Sequence, residues 1–342
     1  MNHKQLYIWY QENKRDLPWR QTTEPYKVWL SEIILQQTRV AQGLPYYQNF
    51  IEKYPSVKHL AMASEQEVLK LWQGLGYYSR ARNLYFAANQ VVAEYQGVFP
   101  NNFNDLLQLK GVGEYTAAAI ASFCYSEAVP VIDGNVYRVL SRLYGVETPI
   151  NTNEGRKIIK QLAYESIDKK NPGLYNQAIM EFGALQCVPA NPKCEICPLS
   201  EACVAYHTGK VAVLPVKNPK QKIKKRYFHY FLVQYQDKIL IQKRQGKGIW
   251  QNLYELPLLE TKTNKELQPV DFQLFYKEIN IDTQSKPELL GQNIHKLTHQ
   301  HLYIHFWKVH LNKEPDRCIP ISDLEQYPMP IVIANFLENI KL

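Results

Sequence analysis

Several common features are missing from the amino-acid sequence, and each absence excludes a class of protein. No apolar run reaches the length that a transmembrane helix needs, and a mean hydropathy of −0.39 argues against a membrane location. Residues 1–20 are charged throughout and contain no apolar signal-peptide core, which argues against export. The chain also has no internal repeat and no low-complexity tract. We therefore expect a protein of the cytoplasm of a cell without compartments, with no membrane partner.

Acidic residues are fewer than basic ones, since 32 Asp and Glu stand against 40 Lys and Arg, for a net charge of +8. This balance favours an anionic partner, nucleic acid first, although a mildly basic housekeeping protein would have the same composition. Many of the 24 Tyr and 6 Trp lie near cations, as in the run GYYSRAR at 76–82. Aromatic rings stack on bases and cations contact phosphates, so this mixture supports a nucleic-acid partner.

A chain of 342 residues exceeds one ordinary hydrophobic core, and its patterns change along its length. Apolar residues at helical spacing mark segments 65–72, 80–95 and 155–167. Aromatic and β-branched alternation marks strands at 227–233, 238–243 and 301–310. We predict an all-α domain over 1–207, a basic linker over 208–226 and an α+β domain over 227–342.

Four of only six cysteines fall in a single loop at 187–203, with the spacing C-x6-C-x2-C-x5-C. They are Cys187, Cys194, Cys197 and Cys203. Thiolates are soft ligands that select zinc or an iron–sulfur cluster, and zinc ribbons usually combine two short cysteine pairs where this loop has one. Four unrelated buried thiols are the alternative. The spacing therefore predicts an iron–sulfur centre.

Two further features involve glycine and aspartate. Gly111 and Gly113 bracket Val112 ahead of an alanine-rich helix at 116–122, so their backbone amides can form a tight turn that binds phosphate. Many helical hairpins use glycine without binding anything, so this signal alone is weak. Asp133 follows twenty positions after Gly113, between an apolar pair and a new helix, where a helix N-cap is an equal alternative to a functional carboxylate.

Together these features resemble the helix–hairpin–helix DNA glycosylase superfamily with its iron–sulfur loop, which implies a 4Fe-4S cluster. Longer motifs resemble the MutY-type adenine DNA glycosylases of that superfamily: LPWR at 17–20, PYKVWLSEIILQQT at 25–38, GLGYYSR at 74–80 and GALQC at 183–187. Endonuclease III-like bifunctional members carry a Schiff-base lysine at the position of Tyr115, and tyrosine cannot form an imine. The resemblance therefore implies monofunctional hydrolysis.

Glu32 lies in a segment whose other residues are mostly apolar, with Gln36 on the one remaining polar line of the helical wheel. A helix that is apolar on nearly all faces is buried, and desolvation raises the pKa of a carboxyl group, although most glutamates are exposed. A proton held near neutral pH suits a general acid. We predict that Glu32 protonates adenine at N7 and that Asp133 stabilises the oxocarbenium-like sugar.

The resemblance implies roles for further residues, each with ordinary core packing as its alternative, strongest for Leu75 and Tyr115. Those expected to orient water and the second carboxylate are Tyr115 and Asn135. Those expected to contact the extruded adenine are Arg20 and Gln177. Those expected to fill the gap in the duplex or hold the opposite base are Gln37, Leu75 and Tyr77, with Thr38 beside them.

The second domain resembles a Nudix fold around GIWQNLYELP at 248–257. The paired acidic residues of the Nudix box have no counterpart in 258–275, which argues against a pyrophosphohydrolase. The resemblance implies a degenerate, Nudix-like domain that recognises 8-oxoguanine through a Phe-Ser-His loop. That loop aligns with Leu297, Thr298 and His299, so the hydroxyl is kept and the aromatic ring is lost.

We therefore predict a monomeric adenine DNA glycosylase that acts on double-stranded DNA containing A:8-oxoguanine or A:G mispairs. One alternative is an endonuclease III-like glycosylase with lyase activity, which Tyr115 and the Nudix-like domain disfavour. The other is a non-catalytic lesion-binding protein, because binding requires the cations and the hairpin but not Glu32.

Overall fold

The computed structural model describes residues 1–219, 223–311, 313–315 and 317–340. They form two compact units. Unit 1 comprises Met1–Met62 and Asn83–Pro219, and unit 2 comprises Ala63–Arg82 and the described part of Lys220–Leu342. The sequence pattern did not indicate that 63–82 groups with unit 2. The predicted domain boundaries stay a prediction, and positions 220–222 of the predicted linker lie outside the described residues.

The helices, in chain order, are α1 (His3–Asn13), α2 (Pro25–Leu35), α3 (Val40–Lys53), α4 (Val57–Met62), α5 (Glu65–Leu71), α6 (Ser79–Tyr95), α7 (Phe103–Leu106), α8 (Glu114–Tyr125), α9 (Gly134–Tyr144), α10 (Asn153–Ser166), α11 (Pro172–Leu185), α12 (Val204–His207), α13 (Pro269–Glu278) and α14 (Ile331–Asn339). Short 3-10 turns lie at Pro18–Arg20, Ser200–Ala202 and Ile321–Gln326. In the described part of the chain, no helix has both the length and the apolar character needed to cross a bilayer.

Unit 1 is helical, and its local sequence sets where several helices begin and end. Prolines at the first turns of α2 and α11 fix the backbone where no amide donor is needed. Gly145 ends α9 in the left-handed region, at φ +68°. One core gathers the apolar faces of α1, α9, α10 and α11 and includes Leu6, Leu140, Ile159 and Ile179. This packing places α11 and the start of α9 beside each other.

Unit 2 is built around a mixed sheet. Its strands are β1 (Lys224–Tyr235), β2 (Lys238–Leu240), β3 (Gln242–Lys243), β4 (Tyr254–Glu255), β5 (Leu258–Thr261), β6 (Glu288–Lys296), β7 (Gln300–His310) and β8 (Cys318–Pro320). The main sheet has the order β6-β7-β1-β2-β8, with β5 also paired to β1, while β3 and β4 pair separately. β1 runs parallel to β7 and antiparallel to β2 and β5. One face of the sheet packs under α13 through Phe231, Phe272 and Phe275. An all-α unit with a separate α+β sheet unit is the fold that we predicted.

Candidate active site

Glu32 lies on α2, a helix in which eight residues are buried, and is itself only 7% exposed. Burial raises the pKa of its carboxyl group to about 7, and the charge of Asp133 adds to this effect. The Tyr115 hydroxyl donates a hydrogen bond of 2.5 Å to Oε2 of Glu32, which lowers the pKa. The positive charge of Arg20 also lowers it. The predicted burial of Glu32 is confirmed, and its raised pKa means that its carboxyl group gains and loses its proton near neutral pH.

Asp133 is both the N-cap of α9 and a desolvated carboxylate. Its Oδ1 accepts a hydrogen bond of 2.8 Å from the Val136 amide, and its Oδ2 accepts one of 2.7 Å from Nδ2 of Asn135. Burial raises the pKa of Asp133, while these donors and the charge of Arg138 lower it. The N-cap alternative is therefore correct. The same Asp133 side chain caps α9 and lies close enough to Glu32 for its charge to act on it.

A cavity of about 190 Å³ brings all four predicted catalytic residues together within unit 1. Glu32, Tyr115 and Asp133 form part of its wall. The other predicted residues that line it are Arg20, Thr38, Asn135 and Gln177. Gln177 is positioned by Tyr10, whose hydroxyl donates a hydrogen bond of 2.9 Å to its Oε1. The cavity thus combines carboxyl groups with amide and guanidinium donors, which suits a planar, polar heterocycle.

The sequence patterns did not identify two charged residues of this cavity, Glu181 and Arg15. Glu181 on α11 is 1% exposed, and its two oxygens accept hydrogen bonds from the guanidinium groups of both Arg15 and Arg20. The Arg15 amide donates a further bond of 2.9 Å to Oε1. Burial raises the pKa of Glu181, but these donors outweigh it and lower the pKa to about 2. The available signal was the one used for Glu32, a carboxylate in a helix that is apolar on most faces.

The hairpin glycines and Gln37 lie outside this cavity. Gly111 has φ +76°, and a Cβ there would lie 2.5 Å from the side chain of Asn83, so only glycine fits. Gly113 is the N-cap of α8, and a Cβ there would meet nothing within 4 Å. Gln37 is exposed with φ +58° at the end of α2. Open backbone at the start of α8 fits the predicted phosphate contact.

The remaining predicted residues line a cleft of about 620 Å³ in unit 2. They are Leu75, Tyr77, Thr298 and His299. Thr298 and His299 belong to the three-residue turn between β6 and β7, and the Thr298 hydroxyl is hydrogen-bonded to the Tyr77 hydroxyl. Tyr77 is 46% exposed, whereas Leu75 is only 6% exposed. Core packing, the alternative given for Leu75, therefore describes the position of this side chain.

The four cysteines of loop 187–203 line one small chamber together with Arg142. Nη1 of Arg142 lies 3.4 Å from Sγ of Cys187, and burial raises the pKa of Cys197 to about 11, with the other three cysteines adding to the shift. Among the described residues, no three His, Cys, Asp or Glu side chains are grouped to hold a single metal ion. A cubane cluster has a different requirement, because each cysteine binds its own iron atom. Four thiols around one chamber fit such a cluster.

Arg138 on α9 connects that loop to the cavity residues. Its Nε donates to the backbone carbonyl of Cys187 at 2.7 Å, and its Nη2 donates to Oδ1 of Asn135 at 2.8 Å. Nη2 also donates to the carbonyl of Gly183 at 2.5 Å. The position of Asn135, and through it that of Asp133, therefore depends on where the cysteine loop begins.

Comparison with known proteins identifies the family. Residues 30–164 match the family model described as "HhH-GPD superfamily base excision DNA repair protein", and residues 229–339 match the "NUDIX domain" model. An adenine DNA glycosylase of Buchnera aphidicola subsp. Schizaphis graminum is 39% identical over 300 residues, which cover 86% of this chain and 84% of that protein. The chain belongs to the adenine DNA glycosylase family. It is a base excision repair enzyme of the class that hydrolyses N-glycosyl bonds, and its partner is DNA.

Two further similarities agree with this family. An adenine DNA glycosylase of Buchnera aphidicola subsp. Acyrthosiphon pisum is 35% identical over 342 residues, which cover 97% of this chain and 95% of that protein. A solved structure described as a thermostable thymine-DNA glycosylase matches with a TM-score of 0.56 and 30% identity, over 60% of this chain and 94% of that one. The predicted resemblance, fold and enzyme class of this adenine DNA glycosylase family member are therefore confirmed.

Proposed function

We propose that this chain removes adenine from A:8-oxoguanine and A:G mispairs in DNA by monofunctional hydrolysis, with Glu32 as the general acid. The observation that carries the proposal is the buried Glu32 carboxyl group, which faces the cavity with a pKa raised to about 7. Such a group is protonated in about half of the molecules at pH 7, and in more of them as the pH falls.

The residues around the cavity have complementary roles in the proposed reaction. Adenine must leave the base stack to reach Glu32, and Arg20 and Gln177 on the cavity wall would contact the extruded base. Protonation at N7 makes adenine a neutral leaving group, after which the C1′–N9 bond breaks. Asp133, held by Asn135 and Val136, stabilises the positive charge that develops on the sugar until water attacks C1′. The proton that the water loses passes to the Glu32 carboxylate, which restores the acid.

Tyr115 supports hydrolysis rather than lyase chemistry. Its hydroxyl donates to Glu32, and burial together with the Glu32 charge raises its own pKa well above the usual value, so it stays neutral. A neutral phenol cannot form an imine with the sugar. Its role is to orient the Glu32 carboxyl group, while Asn135 orients Asp133.

The cleft in unit 2 supports recognition of the base opposite adenine. Thr298 and Tyr77 present hydroxyl groups, and exposed His299 and Lys296 lie on its rim. 8-Oxoguanine differs from guanine in its N7–H donor and O8 acceptor, and a hydroxyl group can pair with either. We assign Thr298 to this contact, with Leu75, Gln37 and Tyr77 in the duplex gap.

We also propose that Cys187, Cys194, Cys197 and Cys203 hold a 4Fe-4S cluster. When bound, such a cluster ties a loop together and supplies no step of the reaction described above. The support is the shared chamber of the four cysteines and its position against the α9 and α11 core. Purified protein that contains no iron and no acid-labile sulfide would contradict this assignment.

The test of the general acid is a single-turnover assay of adenine release from A:8-oxoguanine, A:G and A:T duplexes. We expect Glu32→Gln to lower the rate constant at least about 10³-fold, within the range that proton transfer contributes, and to leave duplex affinity nearly unchanged. Glu52→Gln, a substitution of an exposed glutamate on α3, is the matched control and keeps the wild-type rate.

Three results would contradict the proposal. No free adenine from the wild type would favour a non-catalytic lesion-binding protein. A high yield of covalent enzyme–DNA adduct after borohydride treatment would favour an endonuclease III-like lyase. A large loss of duplex affinity in Glu32→Gln would show that Glu32 has a structural role.

A further inference from the structure

Glu181 is a fully buried glutamate whose role the proposed reaction leaves open. It lies on α11, one helical turn after Gln177, and lines the same cavity as Glu32. Its side chain has no solvent exposure, whereas the paired side chains of Arg15 and Arg20 are 39% and 16% exposed. A buried carboxylate is costly to maintain unless its partners compensate it, so its placement beside the reaction centre needs an explanation.

The hydrogen bonds of Glu181 are directed entirely at the two arginines. Oε1 accepts from Nε of Arg15 at 2.8 Å and from Nη1 of Arg20 at 3.0 Å. Oε2 accepts from Nη2 of Arg15 at 2.5 Å and from Nη2 of Arg20 at 2.7 Å. Nη1 of Arg20 also donates to the backbone carbonyl of Arg15 at 3.1 Å. Both guanidinium groups are thereby fixed in the wall, and one negative charge is shared between two positive ones.

Arg20, which lines the same cavity as Glu32, carries the effect of this group to Glu32. The positive charge of Arg20 lowers the pKa of Glu32, against the effects of burial and of Asp133. An uncompensated pair of arginines would strengthen that lowering and would also repel an adenine that has just accepted a proton. With Glu181 ionised, the three side chains carry one net positive charge rather than two.

We propose that Glu181 is a positioning residue that holds and neutralises Arg15 and Arg20, so that Glu32 keeps its proton at the pH of the reaction. This inference rests on the proposed role of Glu32 as general acid. Glu181 itself acts through the arginines and transfers no proton, because its two oxygens are fully occupied by their donors.

The other charged or titratable groups at this site come from every element packed around it. Tyr115 on α8 and Asp133 at the start of α9 face Glu32, and Cys124 on α8 is within electrostatic reach of it. Tyr10 on α1 and Arg20 face Glu181, and Arg138 acts on Asp133. Because none of these groups changes in the variants below, the expected shifts come from the charge of the Arg15–Arg20–Glu181 group.

The test is the pH dependence of the single-turnover rate of adenine release, in the cluster-containing protein. The wild type should lose activity with rising pH around 7, as Glu32 loses its proton. Glu181→Gln raises the net charge of the group by one, and we expect the alkaline limb to move down by about one pH unit. Arg15→Gln lowers the net charge by one, and we expect the limb to move up by about half a unit, since Arg15 is partly exposed.

The double variant Arg15→Gln/Glu181→Gln has the wild-type net charge but none of the Arg15–Glu181 hydrogen bonds. We expect its alkaline limb to return to the wild-type position even if its rate is lower. A merely structural role would lower the rate in all three variants and leave the limb in place. Arg15→Gln retains Glu181, so it tests the inference even if Glu181→Gln folds poorly.

The two proposals fail in different ways. A flat wild-type profile would contradict both the general acid role of Glu32 and this inference. A wild-type limb near pH 7 that the three variants leave unmoved, or that the double variant does not restore, contradicts this inference alone.

Discussion

Two helices that line the base cavity, α2 and α11, each carry a buried glutamate, and the two carboxyl groups are in opposite states. On α2, Glu32 has one hydrogen-bond donor, Tyr115, and burial raises its pKa to about 7. On α11, Glu181 has two guanidinium partners, which lower its pKa to about 2. Burial is similar in the two cases, with 7% and 1% of each residue exposed. Partner charge, rather than depth, therefore decides which carboxyl group can act as an acid and which remains a fixed anion.

The largest effect should follow from removing the Glu181 carboxylate on α11. Glu181→Ala leaves two guanidinium groups, one of them largely buried, without their anion, and we expect the free energy of unfolding to fall by about 3–5 kcal/mol. Chemical denaturation followed by circular dichroism measures this. Glu165→Ala on α10 replaces an exposed glutamate and should change stability by no more than about 0.5 kcal/mol. Equal losses in the two variants would mean that the Glu181 pairs contribute nothing net.

Removing the ionisable group of Glu32 on α2 should instead raise the free energy of unfolding. The pKa of Glu32 is raised from 4.5 to about 7, so the folded state binds an extra proton between those values and loses stability as pH rises through that window. Glu32→Gln removes this loss, and we expect the variant to be more stable than the wild type by about 2–3 kcal/mol at pH 8 and by nearly nothing at pH 4.5. Thermal unfolding at both pH values is the measurement. An equal gain in stability at the two pH values would show that the gain does not come from the titration of Glu32.

The smallest effect concerns the single hydrogen bond that Glu32 receives. The Tyr115 hydroxyl stabilises the ionised form of Glu32 and so lowers its pKa. In Tyr115→Phe that contribution is lost, and the alkaline limb of adenine release should move up by about half a pH unit. A downward movement would show that Tyr115 instead favours the protonated acid. Measuring Tyr115→Phe beside Glu181→Gln compares the partner of Glu32 with the Glu181 group directly, because the two expected shifts have opposite signs.

Glu32 and Glu181 also differ in how much of their surroundings the sequence can predict. The burial of Glu32 follows from the apolar residues around it on α2, and the position of Asp133 follows from its place before α9. Both are local patterns of a few residues. The partners of Glu181 are not local, since Arg15 and Glu181 are separated by 166 positions, and no spacing rule connects them. Burial of Glu181 was within reach, but the identity of its partners was not.

The same distinction applies to the rest of the fold. Helical and strand periodicity predicted α5, α6, α10, β1 and β7 close to their observed bounds. It did not predict that 63–82 groups with unit 2, because that grouping depends on packing between segments far apart in the chain. Leu75 illustrates the consequence: its motif indicates a residue that enters DNA, while its packing leaves it 6% exposed. Motifs identify residue types, and tertiary packing decides which of their atoms reach solvent.

The long separation between Arg15 and Glu181 has a consequence for how the enzyme is made. During synthesis, α2 and Asp133, the N-cap of α9, emerge from the ribosome before α11, so Glu32 and Asp133 are present while one part of the cavity lining is still missing. The Arg15–Glu181 contact closes a loop of 166 positions, and such a contact costs more loop-closure entropy than the local contacts of a helix. A nascent or truncated chain that ends before α11 therefore contains both carboxyl groups of the proposed reaction and has no complete cavity in which to use them.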